Sequence, residues 1–182
     1  ALAAALLLGA VWWGSGRILP AMRQLAAPKE QRLAVLMYHG VHSDPQKAGD
    51  YVITPQALEQ DLCFLQGQGC HTVTMREVIA YVRDGAPLPE KPVMLTFDDG
   101  YYNNYLNAYP LLQKYGMKAV LSIIVGETDK YSSLDENKES YSHVTWDMVN
   151  EMRESGLVEI QNHTYNLHKT GAPRRGAAQR RD

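Results

Sequence analysis

The sequence predicts an α/β fold with parallel strands, on two observations: short apolar runs alternate with amphipathic stretches, and three polar clusters fall just after strand ends. The first strand is residues 33–38, ending in Tyr38-His39-Gly40. Thr54 followed by Pro55 starts a helix that carries Leu58, Leu62 and Leu65 and stops at Gly67. Residues 71–73 make a short strand, and Thr74 caps a helix bearing Val78, Ile79 and Val82. Residues 93–97 are packed with apolar side chains, as in a strand buried on both faces, and lead into Asp98-Asp99-Gly100. A helix over residues 105–115 ends at Gly116, and residues 119–125 form the next strand. From residue 126 to about 141 the chain turns polar without an apolar period, which predicts a surface loop on the rim of a site. Thr145 then caps a helix with Met148, Val149 and Met152 on one stripe, Gly156 ends it, and residues 157–160 are a strand followed by Asn162-His163.

Five strands in βα order fit an open doubly wound sheet or part of a (β/α) barrel. In both, residues after the strand C-termini gather at one face and build the site.

The 182 residues suit one domain, with 45% hydrophobic and 21% charged residues. A net charge of -2 provides no basic field for nucleic acid, and Arg174, Arg175, Arg180 and Arg181 read as a solvated run. Cys63 and Cys70 have neither metal-finger nor redox-pair spacing and read as buried thiols. Residues 1–13 are an uncharged apolar run that predicts a signal anchor or signal peptide over 1–16, truncated at its start, with a linker over 17–32. Trp12 and Trp13 suit a membrane interface, whereas Arg17, Arg23, Lys29 and Arg32 after the run would favour a cytoplasmic side for the remainder of the chain. No Cys succeeds the run to carry a lipid.

Adjacent carboxylates raise the cost of ionising both, and a bound cation offsets it. Asp-Asp-Gly alone would sooner describe a solvated turn. His163 and His168 add imidazole nitrogens from another segment, as a metal site needs. Their offset would put them about 140° apart on a helix and on opposite faces of a strand. Only across a turn, at Asn166, could they share a ligand.

Thr96-Phe97-Asp98-Asp99-Gly100-Tyr101 resembles the TFDDG motif of the NodB-homology polysaccharide deacetylases (carbohydrate esterase family four). His163-Thr164-Tyr165-Asn166-Leu167-His168 resembles the family's second, histidine-containing motif. Most of the family has one residue fewer between the histidines. The longer spacing, with Met37-Tyr38-His39, is similar to the exported bacterial branch acting on poly-β-1,6-N-acetylglucosamine.

The resemblance, from residue 33 to the C-terminus, implies a partial distorted (β/α) barrel of the NodB-homology type, truncated before closure. It implies Asp99, His163 and His168 as ligands of a divalent metal, most readily zinc with cobalt, nickel or manganese as alternatives, and Asp98 as general base. The implied reaction is hydrolysis of N-acetyl groups on a cell-envelope or extracellular glycan, with peptidoglycan, chitin oligomers and acetylated xylan as alternative substrates. Thr164 would brace the histidine turn and His39 would line the pocket or simply end its strand. Tyr101, Tyr102, Tyr165 and Trp146 would face sugar rings or pack around element ends. The chain stops about fourteen residues after His168, before the family's later arginine, groove aromatic and second catalytic histidine. On that reading 33–182 is the N-terminal part of the domain and is inactive by itself. A non-haem iron oxygenase and a non-catalytic carbohydrate-binding relative are the competing functions.

Overall fold

The apolar runs assemble into a parallel sheet in the computed structural model, which describes residues 32–134 and 136–167. The apolar N-terminal segment, most of the linker, His168 and the arginine run lie outside the described residues.

In chain order, β1 is Ala34–Tyr38, a short β2 is Gly40–Val41 and β3 is Val52–Ile53. Helix α1 spans Pro55–Gly67, β4 His71–Thr72, α2 Met75–Asp84 and β5 Pro92–Phe97. A π-helical turn over Asn104–Ala108 leads into α3, Tyr109–Tyr115, and then β6, Ala119–Ile124. Helix α4 is Val125–Ser133, α5 is Trp146–Glu154 and β7 is Val158–Thr164.

The main path of the sheet is β1-β5-β6-β7, all parallel, with β4 also paired to the start of β5; β2 and β3 form a separate small parallel pair. Among the described residues the sheet is open. Parallel pairing brings the ends of β1, β5, β6 and β7 to one edge, so His39, Asp98, Val125 and His163 share it.

Both faces of β5 are covered. Val93, Leu95 and Phe97 join Leu58 and Leu62 of α1, Leu112 of α3, and Val149 and Met152 of α5 in the main core. Met94, on the alternate face, packs with Val73, Leu88 and Val120, and Val78 and Tyr81 of α2 lie against them. Burying each such side chain stabilises the fold by ~1.5–3 kcal/mol, which is why these strands read as apolar runs. Helix starts follow the cap residues: Thr54 and Thr145 accept from the third helical N–H, and Thr74 makes a full capping box with Glu77.

Three expectations need correction. Much of the polar stretch from residue 126 is helix α4. Its buried stripe is only Thr128 and Tyr131, so no apolar period marks it. Neighbours hold it instead: Trp146 donates from its backbone N–H to Ser132 Oγ and from Nε1 to Asp129. The final strand runs on past residue 160 to Thr164, because polar Gln161 and Asn162 still pair with Ser122 and Ile123 of β6. Cys63 is exposed, not buried: it sits on the outer side of α1 and donates from Sγ to Tyr115 Oη at 3.1 Å.

Candidate functional site

The Asp98-Asp99-Gly100 corner begins where β5 loses its ladder. Asp98 N–H makes one more ladder bond, to Tyr38 O at 2.9 Å, and Asp99 then turns into the left-handed region at φ 70°. Such a backbone is rare for a residue with a side chain, is best tolerated by Asn and Asp, and clusters at functional sites. The turn separates the two carboxylates in environment: Asp99 is buried at 7% exposure and Asp98 is half-buried. Gly100 comes next at φ 73°, and a Cβ there would lie 2.9 Å from Ile123 Cγ2 of β6. Ile124 N–H donates to Asp99 O at 3.3 Å, Val144 N–H to Gly100 O at 2.9 Å and Tyr102 N–H to Ser142 O at 2.8 Å. The corner is thus fastened to β6 on one side and to residues 142–144 on the other.

His163 reaches the same place through a β-bulge. Ile123 pairs with Asn162 and Ile124 with Thr164, so His163 is the extra residue in β7. Bulges turn a side chain away from its regular alternation. The result is His163 Nε2 at 3.5 Å from Asp99 Oδ1. Beyond it, Leu167 N–H donates to Thr164 Oγ1 at 3.2 Å across the bend, and Gly126 N–H donates to Tyr165 O at 2.8 Å.

Tyr101 and His39 complete the setting. Burial, the Asp99 charge and a hydrogen bond to Asp99 hold the Tyr101 phenol above its ordinary value. The Tyr101 ring lies 4.8 Å from that of His143, and Tyr131 stacks on the same imidazole at 5.6 Å. Burial pushes the His143 pKa down. A cleft of about 560 Å³ opens above Asp99 and Tyr101, with His39, His42, Lys47 and Tyr51 on its other wall. His39 meets the Tyr51 ring edge-on at 5.1 Å, and Tyr51 is 67% exposed at the lip. Tyr102 stacks on Tyr105, Trp146 is tied to Asp129, and Tyr165 is exposed.

Sequence reasoning missed the polar frame that shapes the cleft. Asn103 Oδ1 accepts from Val41 N–H and Asn107 Nδ2 donates to Val41 O, so two amides treat Val41 as a neighbouring strand would. Glu139 accepts from Ser43 N–H, Ser43 Oγ and Asn107 Nδ2. His42 accepts at Nδ1 from Asp44 N–H, which leaves Nε2 to donate to Ser140 Oγ at 3.0 Å. The one sequence signal was the Asn pair four apart directly after Asp-Asp-Gly-Tyr-Tyr.

The donor set fits a divalent cation. A carboxylate oxygen and an imidazole nitrogen on one tetrahedral ion, each at ~2.0–2.1 Å, stand about 3.3 Å apart, close to the 3.5 Å between Asp99 and His163. Among the described residues no third His, Cys, Asp or Glu joins them; His168 lies outside those residues. Asp98 adjoins the pair in the chain, and Thr164 and Tyr165 belong to the bend rather than to the cleft wall.

Known proteins resemble this chain in sequence and in fold. The polysaccharide deacetylase family model matches residues 85–180. The chain is 31% identical over 138 residues to the poly-beta-1,6-N-acetyl-D-glucosamine N-deacetylase of Escherichia coli K12, covering 73% of this chain and 20% of that protein. The solved de-N-acetylase of Aggregatibacter actinomycetemcomitans superposes with a TM-score of 0.67 at 34% identity, covering 76% of this chain and 57% of that one. IcaB of Ammonifex degensii superposes at 0.64 and 31% identity, covering 79% and 57%. This chain therefore spans a fifth of the Escherichia coli relative and somewhat over half of each solved chain. With its parallel sheet, its Asp-Asp-Gly corner and the matched model together, the chain belongs to the polysaccharide deacetylase family.

Proposed function

We propose that the protein is a divalent-metal-dependent N-deacetylase of an extracytoplasmic polysaccharide, with poly-β-1,6-N-acetylglucosamine as the favoured substrate. The observation that carries this reading is the approach of Asp99 Oδ1 and His163 Nε2 to 3.5 Å beside an open cleft. Asp99 and His163 would hold the cation, with His168 as a third ligand on the strength of the motif. Zinc suits a carboxylate with imidazoles, and cobalt, nickel or manganese would also bind such a set.

The cation's contribution, when bound, is to polarise the acetamide oxygen and make a water more acidic. Asp98 is the general base: it takes the proton as the water oxygen adds to the carbonyl carbon. The C–N bond then breaks as its nitrogen takes up a proton in exchange for the one Asp98 removed from water, giving acetate and a free amine on the sugar. Tyr101 stands beside Asp99 on the cleft wall with its ring packed on His143, and burial of Asp99 strengthens its attraction for a cation. The exposed Tyr51 ring, braced by His39, offers an apolar face for a sugar at the lip.

The favoured glycan rests on the named Escherichia coli relative and on the histidine spacing. The apolar segment over 1–16 supports placement at the cell envelope, held by or passed through the membrane, with 33–182 as the N-terminal part of the catalytic domain. The decisive assay is acetate release by the full-length protein from that polymer, peptidoglycan, chitin oligomers and acetylated xylan, with metal stripped and restored. Metal-dependent release abolished in Asp98→Asn, with cation binding retained, is the expected result. Glycan binding without acetate release under every metal would instead identify a non-catalytic relative, and unchanged turnover in Asp98→Asn would end the general-base assignment.

A further inference from the structure

Residues of the β6–α4 turn touch both halves of the site. Ile123 packs under Gly100, and Ile124 N–H holds Asp99 O at 3.3 Å. The bulge opposite Ile123 and Ile124 aims His163. Two residues on, Gly126 N–H donates to Tyr165 O at 2.8 Å, just beyond His163. Gly126 stands in the first turn of α4, where an N–H has no helical acceptor and is available for such a bond. No side chain fits there: a Cβ on Gly126 would lie 2.6 Å from Tyr165 O and 3.7 Å from Asn166 Cβ. Backbone oxygen cannot swing aside as a flexible side chain can, so the bend after His163 would have to move.

We infer that the β6–α4 turn gauges the separation of Asp99 from His163, and that Gly126 is its positioning residue on the histidine side. The metal-binding consequence rests on the function proposed above; the positional one does not. Gly126 is not part of the cleft wall. It acts by docking the strand end that carries His163 at the start of α4, while Ile123 and Ile124 hold the aspartate corner from the same turn. Supporting groups of this kind typically change metal affinity by ~10–100-fold when altered.

The first test needs no variant. In the metal-free full-length protein, hydrogen exchange should find the Gly126 amide protected although it lies in a first helical turn; free exchange there overturns the inference. The second compares Gly126→Ala with two controls: Gly67→Ala, where no atom lies within 4 Å of the new Cβ, and Leu58→Ala, a core truncation that lowers stability away from the site. Gly126→Ala should shift the His163 ring resonances, speed amide exchange over residues 165–167, and weaken zinc binding about tenfold or more in a chelator competition. The controls should leave all three unchanged, although Leu58→Ala lowers the melting temperature. Unmoved His163 resonances in Gly126→Ala sink the inference. Equal losses in Leu58→Ala sink it too, by reducing the effect to stability. Should the wild type bind no cation while Gly126→Ala still moves His163, the proposed function fails and the gauge stands.

Discussion

The two arms of the site are built to different standards. The aspartate arm is buried: Asp99 is 7% exposed, its backbone is held by β6, and its charge raises the neighbouring Tyr101 phenol. The histidine arm ends in an exposed bend, where two hydrogen bonds, at Thr164 and at Gly126, hold the residues after His163. The carboxylate is placed by burial, and the imidazole by a bulge whose following residues are held through backbone bonds. The contrast teaches that cost to the fold and cost to the site are separable here, arm by arm.

The largest effect should come from Gly100→Ala. It forces a methyl into Ile123 at 2.9 Å with φ at 73°, and should destabilise by about 2–4 kcal/mol in urea unfolding. Gly156→Ala shares the left-handed backbone but meets nothing within 4 Å, so it should cost only about 1 kcal/mol. Equal costs would show that the Ile123 contact contributes nothing.

Next, the arms can be cut one at a time. Asp99→Ala puts a residue intolerant of φ 70° at the corner, a loss of about 1–3 kcal/mol. His163→Ala removes an exposed side chain and should change stability by less than about 0.5 kcal/mol. Both should abolish zinc binding measured by calorimetry. A large stability loss in His163→Ala would erase the contrast.

Tyr101→Phe sharpens it further. The ring stays packed on His143, while the Asp99 carboxylate loses its polar phenol neighbour, so zinc affinity should fall about tenfold with the melting temperature little changed.

The smallest effect concerns acid. Burial opposes ionisation of Glu139, but bonds from Ser43 and Asn107 outweigh it and hold the carboxyl below its ordinary 4.5. The folded state therefore binds this proton less readily than the unfolded chain. Its stabilising contribution is complete above the ordinary value and is lost as pH falls through the folded one. Melting temperatures taken from roughly pH 5 to pH 3 should drop less steeply in Glu139→Gln than in the wild type.

Legibility in the sequence tracks the range of the interactions. The strands were legible because β5 and β6 are buried on both faces and must be apolar. The helix starts were legible because their caps lie within three residues. The Asp-Asp-Gly corner was legible because residue type and place coincide. The aim of His163 was not, since a bulge is a property of two strands and one of them is forty residues away. Helix α4 hid because its packing partners lie on other elements. The frame of Asn103, Asn107, His42 and Glu139 hid for the same reason, all its bonds but the one from Asp44 to His42 spanning 32 to 98 residues.

The bulge also has a genetic consequence. Because β7 carries one residue more than β6 requires, losing a single codon upstream, at Gln161 for instance, would not break the pairing but regularise it. Asn162 would then stand opposite Ser122 and His163 opposite Ile123, with Thr164 still beside Ile124. The strand would be straighter and the imidazole would take the direction that Asn162 has now. One in-frame deletion thus leaves the strand paired and the aspartates intact, with the histidine facing elsewhere.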